Sequence, residues 1–219
     1  ADPVAKFCLM IMPMCLLLSH ISCDARCQKP VRERAAEQLM LMRPKFLLAA
    51  GLSADWGLLC IAFLRLFDRS GHDISNSNDE WIAFSETMKA CFIDGRIFNG
   101  PINGVVGGRG LDLKHGLFIT ERVRTQTKDH VLFRCGDKHS FMWGPISRSD
   151  LKDLATRARV SAKLMLGRVE AEFQGLRQDF CCFALRRVHA TRSSGRPLSA
   201  IEDLLGHLRH LGTAFRLDN

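Results

Sequence analysis

The sequence predicts a mainly helical protein with a small antiparallel β element, an α+β fold that carries a long C-terminal helix. Apolar residues recur at steps of three and four in the last third of the chain, which is the repeat of one helix face. Between residues 117 and 143, apolar and polar residues instead alternate in short runs, as in half-buried strands. These patterns divide the chain into segments 1–28, 29–92, 93–147 and 148–219.

Composition excludes a largely disordered chain and gives a positive charge. The 219 residues are 47% hydrophobic, enough to form a core, and the formal net charge is +8. This charge permits contact with nucleic acid, anionic lipid or acidic protein surfaces without choosing among them. Cys23 and Cys27 stand four residues apart beside a polar segment and could bind a metal or join a disulfide. The remaining cysteines in apolar runs are predicted to be reduced core thiols: Cys8, Cys15, Cys60, Cys91, Cys181 and Cys182.

Segment 1–28 is predicted to be a hydrophobic anchor. Residues 7–18 carry no charge, a layout that also matches the core of a signal peptide. The run is short for a membrane span, which takes about 20 apolar residues, and Pro13 should kink it. We expect Phe7, Leu16 and Leu17 to contact a partner chain or lipid.

A second hydrophobic block covers residues 46–67, in segment 29–92. Its length alone would admit a membrane span. Gly51 suits a helix C-cap, Ser53 suits an N-cap, and Asp55 suits the first turn of a helix. The sequence therefore predicts two helices, 30–50 and 54–67, joined by a tight turn, in preference to a membrane hairpin.

The loop after this block carries the residues of a known motif. Residues 62–75 read Ala-Phe-Leu-Arg-Leu-Phe-Asp-Arg-Ser-Gly-His-Asp-Ile-Ser, and Glu-Trp-Ile-Ala-Phe follows at 80–84. Residues 62–86 resemble a calmodulin-type EF-hand, which implies a helix-loop-helix with Asp68, Ser70, Asp73 and Glu80 as calcium ligands. Ser70 and His72 replace acidic ligands and Glu80 comes one residue late, so impaired calcium affinity is implied. An ordinary helix connection built from turn-forming residues is the alternative interpretation.

Segment 93–147 is predicted to contain a glycine-rich loop and a β-hairpin. Six glycines between positions 95 and 110 are incompatible with a stable helix. Residues 117–123 and 130–135 are predicted to pair around a turn at 125–129, with 140–143 as a possible third strand. Ser147 and Asp150 form a capping box that should start the long helix.

Segment 148–219 is predicted to be this long helix followed by a C-terminal helix that starts near Ser199. The apolar face of the long helix should pack against the core or a partner, and four of its residues are interface candidates: Met165, Phe173, Phe180 and Phe183. Basic residues surround this face, but interspersed acidic residues favour a solvated surface over a nucleic-acid footprint.

No catalytic constellation is evident in the sequence, and we expect the protein not to be an enzyme. His207 and His210 lack the glutamate of a zinc-protease helix. The sequence predicts a structural or accessory subunit of a larger, membrane-associated organellar complex, with a mitochondrial location favoured. Its expected partners are other protein subunits, and residues 7–18 and 46–67 are candidates for lipid contact. No cofactor is expected unless calcium binds. The alternatives are an EF-hand-type regulatory module and a basic nucleic-acid-binding or viral matrix-like protein.

Overall fold

The computed structural model describes residues 2–67, 77–100, 102, 117–136, 139–183 and 209, with side chains as far as Glu172 along the last helix. Within these residues the chain forms seven α-helices and one two-stranded antiparallel sheet, which confirms the predicted fold class and the long C-terminal helix. The predicted loop at Asp68, glycines 104–110 and, apart from Arg209, the predicted helix from Ser199 lie outside the described residues. The elements in chain order are α1 (Asp2–Leu9), α2 (Ile11–Cys23), α3 (Lys29–Leu41), α4 (Pro44–Phe67), α5 (Ser77–Met88), a π-helix (Lys89–Ile93), a 3-10 helix (Arg96–Phe98), α6 (Ile119–Gln126), β1 (Leu132–Cys135), β2 (His139–Met142) and α7 (Arg148–Phe183).

Helices α1 and α2 are one apolar run with a bend of 68° between them. Pro13 is the third residue of α2. Because a proline has no backbone N–H, it cannot donate a hydrogen bond to the Leu9 carbonyl four residues earlier. Its ring also crowds that carbonyl, which explains why the break falls at Met10, ahead of the proline. The kink predicted from Pro13 is confirmed.

The predicted turn at Gly51 is wrong, because α4 continues from Pro44 to Phe67 without a break. The chain breaks instead at Met42 and Arg43, where Pro44 disfavours a helical conformation of the preceding residue and suits the first position of the next helix. Gly51 is required for helix packing and does not end a helix. A Cβ atom there would lie 3.2 Å from the Thr120 Cα atom, so the missing side chain lets α6 approach α4 closely.

Asp55 lies in the middle of α4, and not in a first turn as the sequence suggested. Its buried carboxylate accepts hydrogen bonds from the Ile119 amide at 3.2 Å and the Thr120 amide at 2.8 Å. The Thr120 hydroxyl donates a third bond at 2.6 Å. These amides belong to the first turn of α6 and have no acceptor within their own helix. Asp55 therefore caps a helix 64 residues further along the chain.

The predicted strand at 117–123 is wrong, since Ile119–Gln126 is helix α6. Leu117 alone makes an isolated antiparallel bridge, with Ile102. The true hairpin pairs β1 with β2, so the segment expected as a third strand is the actual partner of the second. Phe133 of β1 faces Phe141 of β2, and Gly136 takes a positive φ of 67° at the turn.

Two hydrophobic clusters form the core, and α4 contributes to both. One joins α4 to α5, the π-helix and α7, and the other joins it to α1, α2, α6 and the hairpin. Trp143 is fully buried in the second cluster, where its indole Nε1 donates to the Met42 carbonyl at 2.9 Å. This bond ties the end of the hairpin to the junction of α3 and α4.

The long helix α7 starts as the capping box predicts, with the Asp150 amide donating to Ser147 Oγ at 3.0 Å. Its first turns are tied to α4 by Lys45, whose Nζ lies 2.8 Å from Asp150 and 3.0 Å from Asp153. Leu154 and Ala162 then bury the apolar face of α7 in the first core cluster.

Among the described helices, Pro44–Arg65 is long and apolar enough to cross a membrane. The bent pair α1–α2 meets the same criterion of length and composition if its two helices are counted as one span. Helix α4 packs against four other helices and holds the buried carboxylate of Asp55, and 39% of its apolar stretch is buried inside the described structure.

Removing the Asp55 carboxylate should destabilise the fold. Asp55→Ala leaves three buried donors of α6 without an acceptor, and we expect the free energy of unfolding to fall by about 2 to 4 kcal/mol. Asp129→Ala removes an exposed carboxylate just after α6 and should change the free energy of unfolding by less than about 0.5 kcal/mol. Urea denaturation followed by circular dichroism measures both. A loss below about 1 kcal/mol for Asp55→Ala would contradict the capping role.

The same carboxylate should make stability depend on pH. Burial raises the pKa of Asp55 above its ordinary value of 3.8, against the lowering effect of its hydrogen bonds to α6. The folded protein therefore keeps this proton to a higher pH than the unfolded chain, and the resulting stabilisation is lost as pH rises through the folded pKa. We expect the unfolding free energy of wild type minus that of Asp55→Asn to fall between pH 3.8 and neutrality. A rise of this difference over the same range would show that the hydrogen bonds outweigh burial.

Candidate functional site

Helix α2 is mostly apolar, with Ser19, His20 and Ser22 as its polar residues, and the fold covers only one side of it. Its 13 residues include no Lys, Arg, Asp or Glu. The buried positions are Ile11, Cys15 and Ser22. On the opposite side, Leu16 and Leu17 are 55% and 57% exposed. These two leucines share a stripe with two further exposed residues at helical spacing, Pro13 and His20, and we call these four residues the α2 surface.

The hairpin sets the rotation of α2 about its own axis. Ser19 Oγ donates to the Arg134 carbonyl at 2.8 Å, and Ser22 Oγ accepts from the Gly136 amide at 3.3 Å. Cys23 Sγ donates to the Gly136 carbonyl at 3.6 Å. Three side chains on the same side of α2, those of Ser19, Ser22 and Cys23, thus bind the backbone of the hairpin. A rotation of α2 that turned its leucines inward would break these hydrogen bonds. The α2 surface is therefore held outward by the rest of the fold.

Basic residues outnumber acidic residues in the N-terminal part of the chain, and three of them, Arg26, Lys29 and Lys45, form ion pairs with acidic side chains. Residues 1–45 contain seven Lys or Arg against four Asp or Glu, and none of these charges lies on α2. On α3, which packs along α2, Lys29 pairs with Glu33 at 3.8 Å, while Arg34 is exposed. A stripe without Lys, Arg, Asp or Glu in a segment of net positive charge suits an acidic surface with an apolar component.

Other large apolar side chains are exposed near the junction of α3 and α4 and on the hairpin. Leu132 and Met142 face each other across the sheet and are 63% and 58% exposed. Leu41 and Phe46, on either side of the α3–α4 junction, are also exposed. These positions do not follow one helix face, so a sequence pattern does not mark them.

The structure places the remaining predicted interface residues in different environments. Phe7 is half-buried against the cluster that contains the hairpin, and Met165 packs against the cluster around α4 and α7. Phe173, Phe180 and Phe183 belong to α7, but their side chains lie outside the described residues.

Of the predicted calcium ligands, Glu80 is in the first turn of α5, while Asp68, Ser70 and Asp73 lie outside the described residues. In the part of the chain that the structure describes, no group of three or more His, Cys, Asp or Glu side chains is arranged to hold a metal ion. Cys23 and Cys27 are free thiols there.

The buried cysteines behave as small apolar side chains. Burial raises the pKa of Cys8 to about 11 and that of Cys15 to about 12, and the charge of Asp55 adds to the effect at Cys8. Burial likewise raises the pKa of Cys91 to about 12. A thiol is nucleophilic only as the thiolate, so these three remain protonated and unreactive at neutral pH.

No protein-family model, curated protein or solved structure matches this chain significantly. The functional argument accordingly rests on the residues and contacts described above.

The α2 surface should tolerate polar substitution in the isolated protein. Leu16→Gln combined with Leu17→Gln should change the free energy of unfolding by less than about 1 kcal/mol, because both side chains are already in water. Ile11→Ala, on the buried side of the same helix, should cost about 2 to 5 kcal/mol. Urea denaturation distinguishes the two sides. Equal losses for the two variants would show that the leucines are covered in the free protein.

Proposed function

We propose that the protein is a non-catalytic accessory subunit that attaches to a membrane-associated assembly through the α2 surface. The observation that carries this proposal is an uncharged helix whose leucines are held outward by hydrogen bonds on its other side. A helix whose residues are mostly apolar is normally covered on all sides. Water is a poor environment for this stripe, and covering the exposed half of each leucine is worth about 1 to 1.5 kcal/mol.

Membrane contact is supported by charge as well as by the apolar stripe. A helix that lies in a lipid interface places leucines between the acyl chains, and nearby Lys and Arg attract anionic headgroups. The excess of basic residues over segment 1–45 supplies that attraction. The proposed organellar, mitochondrial setting rests on the same two features.

A protein partner would use the same surface differently. An amphipathic helix or apolar groove of another subunit would cover Leu16 and Leu17 and place acidic residues opposite the basic rim. The exposed side chains at the α3–α4 junction and on the hairpin, Phe46 and Leu132 among them, would extend such an interface. This second mode fits the accessory role without requiring lipid.

Vesicle binding tests the membrane part of this proposal. The wild type should co-sediment with phosphatidylcholine vesicles that contain phosphatidylglycerol, and less with vesicles of phosphatidylcholine alone. The Leu16→Gln, Leu17→Gln variant should bind the anionic vesicles at least about tenfold more weakly. Leu164→Gln, which changes a leucine of α7 that is 63% exposed, is the matched control and should bind like the wild type.

Equal binding by the double variant and the wild type would reject the α2 surface as the lipid-contacting site. If the wild type binds neither kind of vesicle, membrane contact is rejected. The mass of the native particle then tests the subunit role, because a free monomer in its cell of origin would contradict it.

A further inference from the structure

A cleft of about 420 Å³ opens between α4, the π-helix and α7, and the accessory role proposed above makes no use of it. It is an open groove and not an enclosed cavity, and its volume lies toward the lower end of the range of small-molecule sites. Residues 49–56 of α4 and 154–161 of α7 form its two long sides, each about 10 Å in length at the rise of an α-helix. The lining residues are Ala49, Leu52, Ser53, Trp56, Phe92, Leu154, Arg157, Ala158 and Ser161.

Aromatic and aliphatic groups make up the inner part of this cleft. The rings of Trp56 and Phe92 are 4.9 Å apart between centroids and tilted by 57°. Leu52 and Leu154 are buried beside them, whereas Trp56 is half-buried and keeps part of its ring toward the cleft. Small side chains on both helices, Ala49 and Ala158, leave room for a flat group between them.

Phe92 reaches the cleft from an unusual backbone. It belongs to the π-helix Lys89–Ile93, which continues directly from α5. A π-turn inserts an extra residue into a helix and redirects its side chains, and such turns occur frequently at functional sites. Here the π-helix places the Phe92 ring against Trp56 of α4.

A guanidinium group stands at the rim. Arg157 Nε donates to Asp153 Oδ1 at 3.0 Å, and Asp153 is also held by Lys45 Nζ at 3.0 Å. This arrangement orients the Arg157 side chain but uses only one of its nitrogens. The Arg157 side chain is 75% exposed and Ser161 is also exposed, so the Nη groups of Arg157 and the Ser161 hydroxyl are accessible to a solute at the mouth of the cleft. They are donors beside an aromatic floor.

We propose that this cleft binds a small planar aromatic anion, with its rings against Trp56, which the buried Phe92 supports from the core, and its carboxylate or sulfonate on Arg157 and Ser161. Arginine nitrogens bind carboxylates through charge-assisted hydrogen bonds, which are stronger than neutral ones. A ligand ring packs favourably on a tryptophan face at a centroid separation of roughly 4.5 to 7 Å. The length of about 10 Å matches a two-ring compound and is too short for a helix of three turns.

The experiment uses 2-naphthoate as the probe and the tryptophan indole N–H signals of the full-length ¹⁵N-labelled chain as the readout. The chain has three tryptophans, so Trp→Phe variants can assign each signal. Trp81 and Trp143 are buried, and their indoles donate to Glu170 and to the Met42 carbonyl. We expect 2-naphthoate to shift the Trp56 signal in a saturable way while these two internal controls stay in place.

Two matched comparisons test the anion site. Uncharged 2-naphthamide should bind at least about tenfold more weakly than 2-naphthoate, because it cannot form the charge-assisted bond. Arg157→Gln should weaken 2-naphthoate binding to the level of the amide. Arg168→Gln changes an exposed arginine on the same face of α7, three turns further along, and should leave the affinity unchanged.

Three results would overturn the proposal. These are no saturable shift of the Trp56 signal, equal affinity for the acid and the amide, or equal loss of affinity in Arg157→Gln and Arg168→Gln. The Trp81 and Trp143 signals show in each spectrum whether a variant is folded, so a misfolded variant is recognised directly. A failed vesicle experiment would not affect this inference, since none of the cleft residues belongs to the α2 surface.

Discussion

The arrangement of the helices depends on the hydrogen bonds between the Asp55 carboxylate and the start of α6. This carboxylate lies inside the core in the middle of α4 and accepts three hydrogen bonds from the start of α6. Without this acceptor, α6 would bury unsatisfied amides at its first turn, which costs about 1 to 3 kcal/mol for each group. The close approach that these bonds need is possible because Gly51 carries no side chain. One acidic residue and one glycine of α4 thereby determine where α6 lies.

The position of α6 in turn influences the hairpin and α2. Ile119 and Val123 of α6 join the cluster that contains Phe133 and Trp143, so the inner face of the hairpin packs against a surface that α4 and α6 create together. The outward backbone groups of β1 and its turn then bind Ser19 and Ser22 of α2. A chain of contacts thus leads from a buried carboxylate to the side of α2 that faces solvent. If α6 were displaced, the α2 surface would lose its defined orientation.

The first core cluster, which joins α4 to α5, the π-helix and α7, has a different kind of organisation. Helix α7 is tied to α4 at its start by Lys45, Asp150 and Asp153, and along its length by apolar packing. Lys45 serves both aspartates, and the pKa values of both carboxyls are lowered, first by hydrogen bonding to this lysine. Surface ion pairs of this kind add little to stability but define a geometry. Here they join the first turns of α4 and α7, the two helices that form the long sides of the cleft.

The sequence by itself determined the features that depend on neighbours in the chain. The apolar repeat of α7, its Ser147 cap, the bend before Pro13 and the buried Cys8 and Cys15 all follow from periodicity, capping or composition over a few residues. Only the tertiary structure decided the continuity of α4 through Gly51, the helical state of residues 119–126, the side of α2 that remains exposed and the cleft at Trp56. In each of these the deciding partner lies far along the chain: α6 for Gly51 and Asp55, the hairpin for Ser19, and α7 for Trp56. A short apolar stretch fits a strand or a helix equally well, and a mostly apolar helix has no intrinsic inner side, so long-range packing makes the choice.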